Sequence, residues 1–167
     1  IVKEWLYQLL NEDFNIVRSP KSYNSQIGVP LSVWQMNEHN TLAIFEAGIS
    51  KPGEMEKLEN IIRPTIGILT NIGEAHSEGF KNEKQKTEEK KILFRNAVVP
   101  EPLTIIKIDK RLASTVISAR IDKHNTDTIT IEILFTDDAA VQNAVTCWQV
   151  LLFLNLPHAV IQQRMKL

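Results

Sequence analysis

The chain has 167 residues, 43% of them hydrophobic, with a formal net charge of -1 and a single cysteine. That length and apolar content suit one domain of ordinary size with a packed core and exclude global disorder. Lys and Arg are spread along the chain, which argues against a nucleic-acid footprint. The lone Cys147 excludes an internal disulfide and fits a reducing, cytoplasmic setting, and no apolar run reaches the length of a membrane span.

In chain order, Val2, Trp5, Leu6, Leu9 and Leu10 share one helical face, so residues 1–10 read as a helix. This helix begins without a cap or an initiator Met, and the chain is expected to be a fragment of something longer. Residues 15–17 suit a short strand, followed by a polar loop through Ser19–Ser25 and a helix over 31–37. Residues 41–46 are an apolar run, as expected for a parallel strand covered on both faces. Ser50-Lys51-Pro52-Gly53 is turn chemistry, and the next helix places Met55, Leu58, Ile61 and Ile62 on one face before stopping at Pro64. A second apolar strand over 65–71 completes a strand–helix–strand unit with a parallel sheet.

Residues 81–95 read as a charge-dense helix closed by Ile92, Leu93 and Phe94. Only eight residues, 95–102, separate it from the next strand, shorter than an α/β sheet normally needs. β-branched runs at 103–108, 115–121 and 128–135 then suggest a small antiparallel annex over about 103–135, with a hairpin turn at His124–Asp127. Ile129, Ile131, Ile133 and Phe135 alternate as in a strand with one wet face. Val141, Ala144, Val145, Trp148 and Leu152 mark a buried helix over about 139–154, and Pro157 starts a last short one. The expected fold class is α/β, a mostly parallel Rossmann-like sheet flanked by helices plus the antiparallel annex, in one domain over 1–167.

Two of these runs lead into possible metal ligands. Residues just past strand ends fall in the crevice where open α/β sheets bind ligands, so Glu46 and His76 are expected to face one small volume. The bland alternatives are a strand-end carboxylate paired with a lysine and an ordinary surface or core histidine; imidazole is not the ligand that Mg²⁺ prefers. Asn24 and Asn71 sit where turn-making is the default, Asn143 where a helix cap or first-turn residue is. Lys90 lies in a charge run whose default is a solvated helix face. Cys147, Trp5, Trp34 and Trp148 read as packing residues, and His39, His124 and His158 as loop or turn residues without metal spacing.

Five segments in order, Ser22–Leu31, Phe45–Gly48 with Pro52-Gly53-Glu54, Thr70–Phe80, Glu89–Phe94 and Asp137–Val145, together resemble the central ATPase domain of the Mur ligase family. The wording is nearest the branch that adds D-alanyl-D-alanine to UDP-N-acetylmuramoyl-tripeptide, including a form fused ahead of an alanine racemase. The resemblance implies a P-loop-type fold, ATP and Mg²⁺ as cofactors, and flanking N- and C-terminal domains in the parent chain. It implies Glu46 and His76 as metal ligands and Lys90, four residues before Phe94, as a lysine converted by CO₂ to a carbamate, with Lys86 and Lys91 as the competing lysines. It places Asn24 on the substrate side near the metal, and Asn71 and Asn143 on the nucleotide.

The chain departs from the family pattern in two ways. It contains no G-x-x-x-x-G-K-[ST] phosphate loop, so the fragment alone is expected to be inactive, and Ala139 stands where many relatives carry a His. Two other readings stay open. One is a folylpolyglutamate synthase or cyanophycin-type ligase with the same metal logic. The other is a non-catalytic module with a decayed nucleotide site, which the sequence upstream of Ile1 would decide.

Overall fold

The computed structural model describes residues 1–70, 79–121 and 127–166. They form two compact units, Leu10–Val99 and Ile1–Leu9 together with Pro100–Leu167.

In the unit Leu10–Val99, strands β1 (Ile16–Arg18) and β2 (Leu42–Ile44) pair in parallel, with Ile16 opposite Leu42 and Arg18 opposite Ile44. The helix between them, α2 (Gly28–Val33), begins three residues before the expected 31–37. Pro30 is the reason. In the first turn its missing N–H has no intrahelical partner to lose, so the helix runs through it. The far end closes where Asn37 and Asn40 fold the chain back: Asn37 N donates to Asn40 Oδ1 at 2.9 Å and His39 N to Asn37 Oδ1 at 3.0 Å. Gly28 packs on the Tyr23 backbone so closely that a Cβ would lie 2.7 Å from Tyr23 Cα. The parallel crossover formed is therefore β1–α2–β2.

Helix α3 (Glu54–Ile62) starts at Gly53 with φ +82° and ends at Arg63, also left-handed, immediately before Pro64. Met55 and Leu58 are buried as expected, but Ile61 is exposed and Glu59 is buried in its place, accepting a hydrogen bond from Asn96 Nδ2 at 3.0 Å. The expected strand over 65–71 is a correction. Its described part makes a single parallel bridge, Ile66 to Val98, through Gly67 N to Val98 O and Val98 N to Thr65 O, both 2.9 Å. An apolar run becomes a strand only where neighbours accept its backbone hydrogen bonds, and here the short stretch after Phe94 supplies one such neighbour. Gly67 lies against the Phe94 ring, where a side chain would collide.

Helix α4 (Glu83–Lys91) is capped by Asn82, whose side chain accepts from Gln85 N at 2.8 Å, and runs into a 3-10 turn at Ile92–Phe94. The unit's core is Val29, Ile49, Met55, Leu58 and Phe80, with Ile92 and Leu93 packed against it. Trp34, expected to pack, is 85% exposed: it is the C-cap residue just past the end of α2, whose buried residues are Gly28, Val29 and Ser32.

In the other unit, β3 (Thr104–Lys110), β4 (Thr115–Arg120) and β5 (Ile129–Ile133) form an antiparallel sheet in chain order. On β4 every second residue is buried, the half-covered pattern expected of such a sheet. The proposed turn at His124–Asp127 lies outside the described residues except for Asp127. Phe135 falls beyond β5 and stacks on Trp5 at 5.3 Å. Helix α5 (Asp138–Phe153) buries Ala144, Cys147, Trp148 and Leu151, and α6 (His158–Arg164) buries Ile161. His158 is thus the first residue of a helix and stacks on Trp148 at 6.2 Å. Helix α1 (Val2–Leu10) has its last turn capped by Arg164, whose Nη1 donates to Leu9 O at 2.7 Å. Burial pushes the Cys147 thiol up to about 12, which makes it inert packing. Among the described residues no helix is long and apolar enough to cross a membrane.

Candidate functional site

Glu46 follows β2 by two residues and is exposed. Two neighbours fix it. Its backbone N–H donates to the hydroxyl of buried Ser19 at 3.2 Å, and Ser19 N donates to Ile44 O at 3.1 Å, continuing the β1–β2 pairing. Its carboxylate Oε1 accepts from Asn24 Nδ2 at 2.9 Å. Asn24 is held in turn, because its carbonyl accepts from Gly48 N at 2.7 Å. A Cβ on Gly48 would lie 3.1 Å from Asn24 Cγ, so this position is open only to a residue without a side chain or to a shifted asparagine. Asn24 and Glu46, two of the residues singled out in the sequence, are thus brought into direct contact.

Lys90 is half-buried on α4. Partial burial, then the neighbouring Lys86 charge, hold its amine below the usual lysine range. A carbamate forms only from the neutral amine, so this environment favours that chemistry. Lys86 is buried, and Lys91 is exposed and paired with Glu88 at 2.9 Å. The helix is tied to the start of α3 by Glu89, whose Oε1 accepts from Gly53 N at 2.6 Å. The loop before α3 is itself fastened by Glu54. One of its carboxylate oxygens accepts from Ser50 N at 2.7 Å, Lys51 N at 3.1 Å and Ser50 Oγ at 3.2 Å. These bonds, the Ser50 amide first, hold the Glu54 carboxyl below the usual carboxylate range.

Asn143 is the sixth residue of α5, half-buried, in the other compact unit. It does not cap the helix. Asp137 does, its Oδ1 accepting from Ala140 N at 2.8 Å. Asn71 and His76 lie outside the described residues. Among the described residues no group of three or more His, Cys, Asp or Glu side chains is arranged to hold a metal ion. One fixed, exposed carboxylate still fits Mg²⁺, which is commonly held by one or two carboxylates while substrate phosphates and water fill its other positions.

Glu54 and Glu89 were named in the sequence only as members of motif segments, without a role, and Ser19 only as the start of a polar loop. Glu54 carried a signal, an acidic residue in the first helical turn after Pro-Gly. The partners of Ser19 and Glu89 were not legible, because each acts through a residue distant in the chain.

Residues 2–159 match the Mur ligase middle domain. The UDP-N-acetylmuramoyl-tripeptide--D-alanyl-D-alanine ligase of Borreliella burgdorferi is 39% identical over 95 residues, 56% of this chain and 20% of that protein. The ligase of the same description from Bacillus subtilis is 26% identical over 126 residues, 75% of this chain and 27% of that protein. The chain thus spans about a quarter or less of these relatives. Among solved structures, MurF from Acinetobacter baumannii superposes with a TM-score of 0.83 at 19% identity, covering 99% of this chain and 42% of that one. MurF ligase from Thermotoga maritima in complex with ADP superposes with a TM-score of 0.78 at 19% identity, covering 96% and 44%. At that identity the superpositions speak for the fold, and with the match over nearly all of its length they lead to one conclusion: the chain belongs to the Mur ligase family, as its middle domain.

Proposed function

We propose that this chain is the ATP-binding core of an amide-forming ligase of peptidoglycan precursor synthesis, acting in the cytoplasm, that joins D-alanyl-D-alanine to UDP-N-acetylmuramoyl-tripeptide. The observation that carries the reading is the 39% identity to a relative of that description within the family match over 2–159. In the first step the γ-phosphoryl of ATP passes to the peptide carboxylate, giving an acyl phosphate and ADP. In the second, the amine of D-alanyl-D-alanine attacks the acyl carbon, phosphate leaves, and the amine loses a proton.

The physical demand is charge control, because a carboxylate must approach a triphosphate. Mg²⁺ bound beside the phosphates would neutralise that repulsion. Glu46 supplies an anionic oxygen toward it, and Asn24 keeps that oxygen in one orientation. His76 as a second ligand, Lys90 as a carbamate, Asn71 and Asn143 toward the nucleotide, and Asn24 toward the substrate belong to the same reading. The family likeness supports them, and for Lys90 the lowered amine does as well. The flanking domains of a longer parent would bring the UDP-sugar peptide and the dipeptide. Fusion to an alanine racemase rests on sequence wording, and the residues after Leu167 would test it.

The test uses the full-length parent supplied with ATP, UDP-N-acetylmuramoyl-tripeptide and D-alanyl-D-alanine. ADP and the ligated pentapeptide should appear together. Product only with a folate or a polymeric peptide acceptor would move the protein to another branch, and no ATP-dependent ligation at all would overturn the enzyme reading.

A further inference from the structure

Lys90 sits on a helix that is held by polar rather than apolar contacts along its length. Helix α4 reads Glu-Lys-Gln-Lys-Thr-Glu-Glu-Lys-Lys, contains no apolar side chain, and has Lys86 as its buried residue. Asn82 caps its start, and Ile92 and Leu93 anchor the turn after it. Between those ends the charged Glu89 accepts from the Gly53 amide, 36 positions away in the chain. A carboxylate accepting from a backbone N–H at 2.6 Å is a short, charge-assisted bond.

The other end of this bond is a fixed point. Gly53 has φ +82°, so the turn aims its N–H in a direction other residues rarely permit. Glu54 fastens Ser50 and Lys51 just before it. The segment upstream is anchored too, with Ile49 in the core and Gly48 N on the Asn24 carbonyl. Gly79 lies so close to the Ser50 carbonyl that a Cβ there would overlap it. Residues 46–54 thus make one braced segment, with Glu46 at its start and the receptor for Glu89 near its end.

We infer that Glu89 is a positioning residue: by gripping the Gly53 amide it sets the rotation of α4 and so the place of the Lys90 amine relative to Glu46. This deepens the ligase reading and rests on it for the role of Lys90. The lever arm is large. A rotation of roughly 20° moves a side-chain tip at the helix's outer radius, about 5–6 Å, through about 2 Å. Misplacement by about 1 Å can cost on the order of a hundredfold in rate.

The experiment compares wild type, Glu89→Ala, Glu89→Gln and Lys90→Ala in the full-length parent, with activity measured across a bicarbonate series. Glu89→Ala should lower kcat by about tenfold or more while the KM for ATP stays within about twofold. Its bicarbonate requirement should also rise, because a misplaced carbamate loses the contacts that stabilise it. Glu89→Gln keeps an oxygen acceptor for the Gly53 amide and should recover most of kcat. Hydrogen exchange should speed up at Gly53 in the alanine variant and not in the glutamine variant, a readout that needs no activity. Unchanged exchange at Gly53, an alanine variant with wild-type kcat and bicarbonate response, or a glutamine variant as impaired as alanine would each overturn the inference. A fully active Lys90→Ala, or a wild type without ligase activity, would instead overturn the reading on which it rests.

Discussion

Asn24 and Glu46, 22 positions apart, meet through a side-chain hydrogen bond of 2.9 Å at the carboxyl end of β2. The bond leaves Glu46 exposed while removing one degree of freedom from its carboxylate. In the full-length parent, Glu46→Ala should abolish ligation, a loss of at least about a hundredfold, with the fold intact. Asn24→Ala should cost less, on the order of tenfold in kcat, because the carboxylate stays but loses its orientation. Steady-state kinetics with a thermal melt on each variant checks both, and activity surviving Glu46→Ala would end the metal assignment.

Three lysines on or beside one helical turn differ in environment. Lys90 is half-buried with a lowered amine, Lys86 is buried, and Lys91 is exposed on Glu88. Lys90→Ala should eliminate ligation, whereas Lys91→Ala should leave it within about twofold and change stability by no more than about 0.5 kcal/mol. Kinetics and denaturant unfolding of the two variants separate these outcomes. Equal loss from both would mean that the active lysine is not distinguished by burial.

Gly28 is a packing constraint. An added methyl would meet Tyr23 backbone at 2.7 Å, and backbone cannot swing aside as a flexible side chain does. Gly28→Ala should destabilise the protein by about 1–3 kcal/mol, despite alanine's better helix propensity. Urea unfolding measures it, and a stabilised variant would show that the approach of α2 to Tyr23 is looser than described.

Glu54 adds a pH dependence. Its carboxyl is held below the usual range in the folded protein, chiefly by the Ser50 amide, so folding favours the ionised form. That contribution is fully present above the ordinary glutamate pKa and is lost as pH falls through the lower, folded value. Acid unfolding of Glu54→Gln should therefore lie nearer to wild type at low pH than at neutral pH. The group is largely exposed, so the difference should be small. A gap that widened on acidification would contradict the assignment.

Local periodicity was readable for α1, α3 and α5 and for the alternation along β5, because one face of each meets a core and the spacing of apolar residues records it. It failed over 65–70, where an apolar run says nothing about whether a partner strand exists, and at Trp34, where a large aromatic says nothing about whether the helix ends before it. Motif wording marked Glu46 and Lys90, but in a run of lysines it could not say which is buried.

The sequence alone determined the fold class, the family and the residue types that could carry charge to a phosphate, since these follow from order and spacing along the chain. Tertiary structure decided that Asn24 braces Glu46, that Glu54 and Glu89 fasten the loop before α3, and that partial burial lowers the Lys90 amine. A hydrogen bond between side chains 22 positions apart, or a carboxylate meeting an amide 36 positions away, leaves no periodic trace, because it depends on where the backbone returns in space.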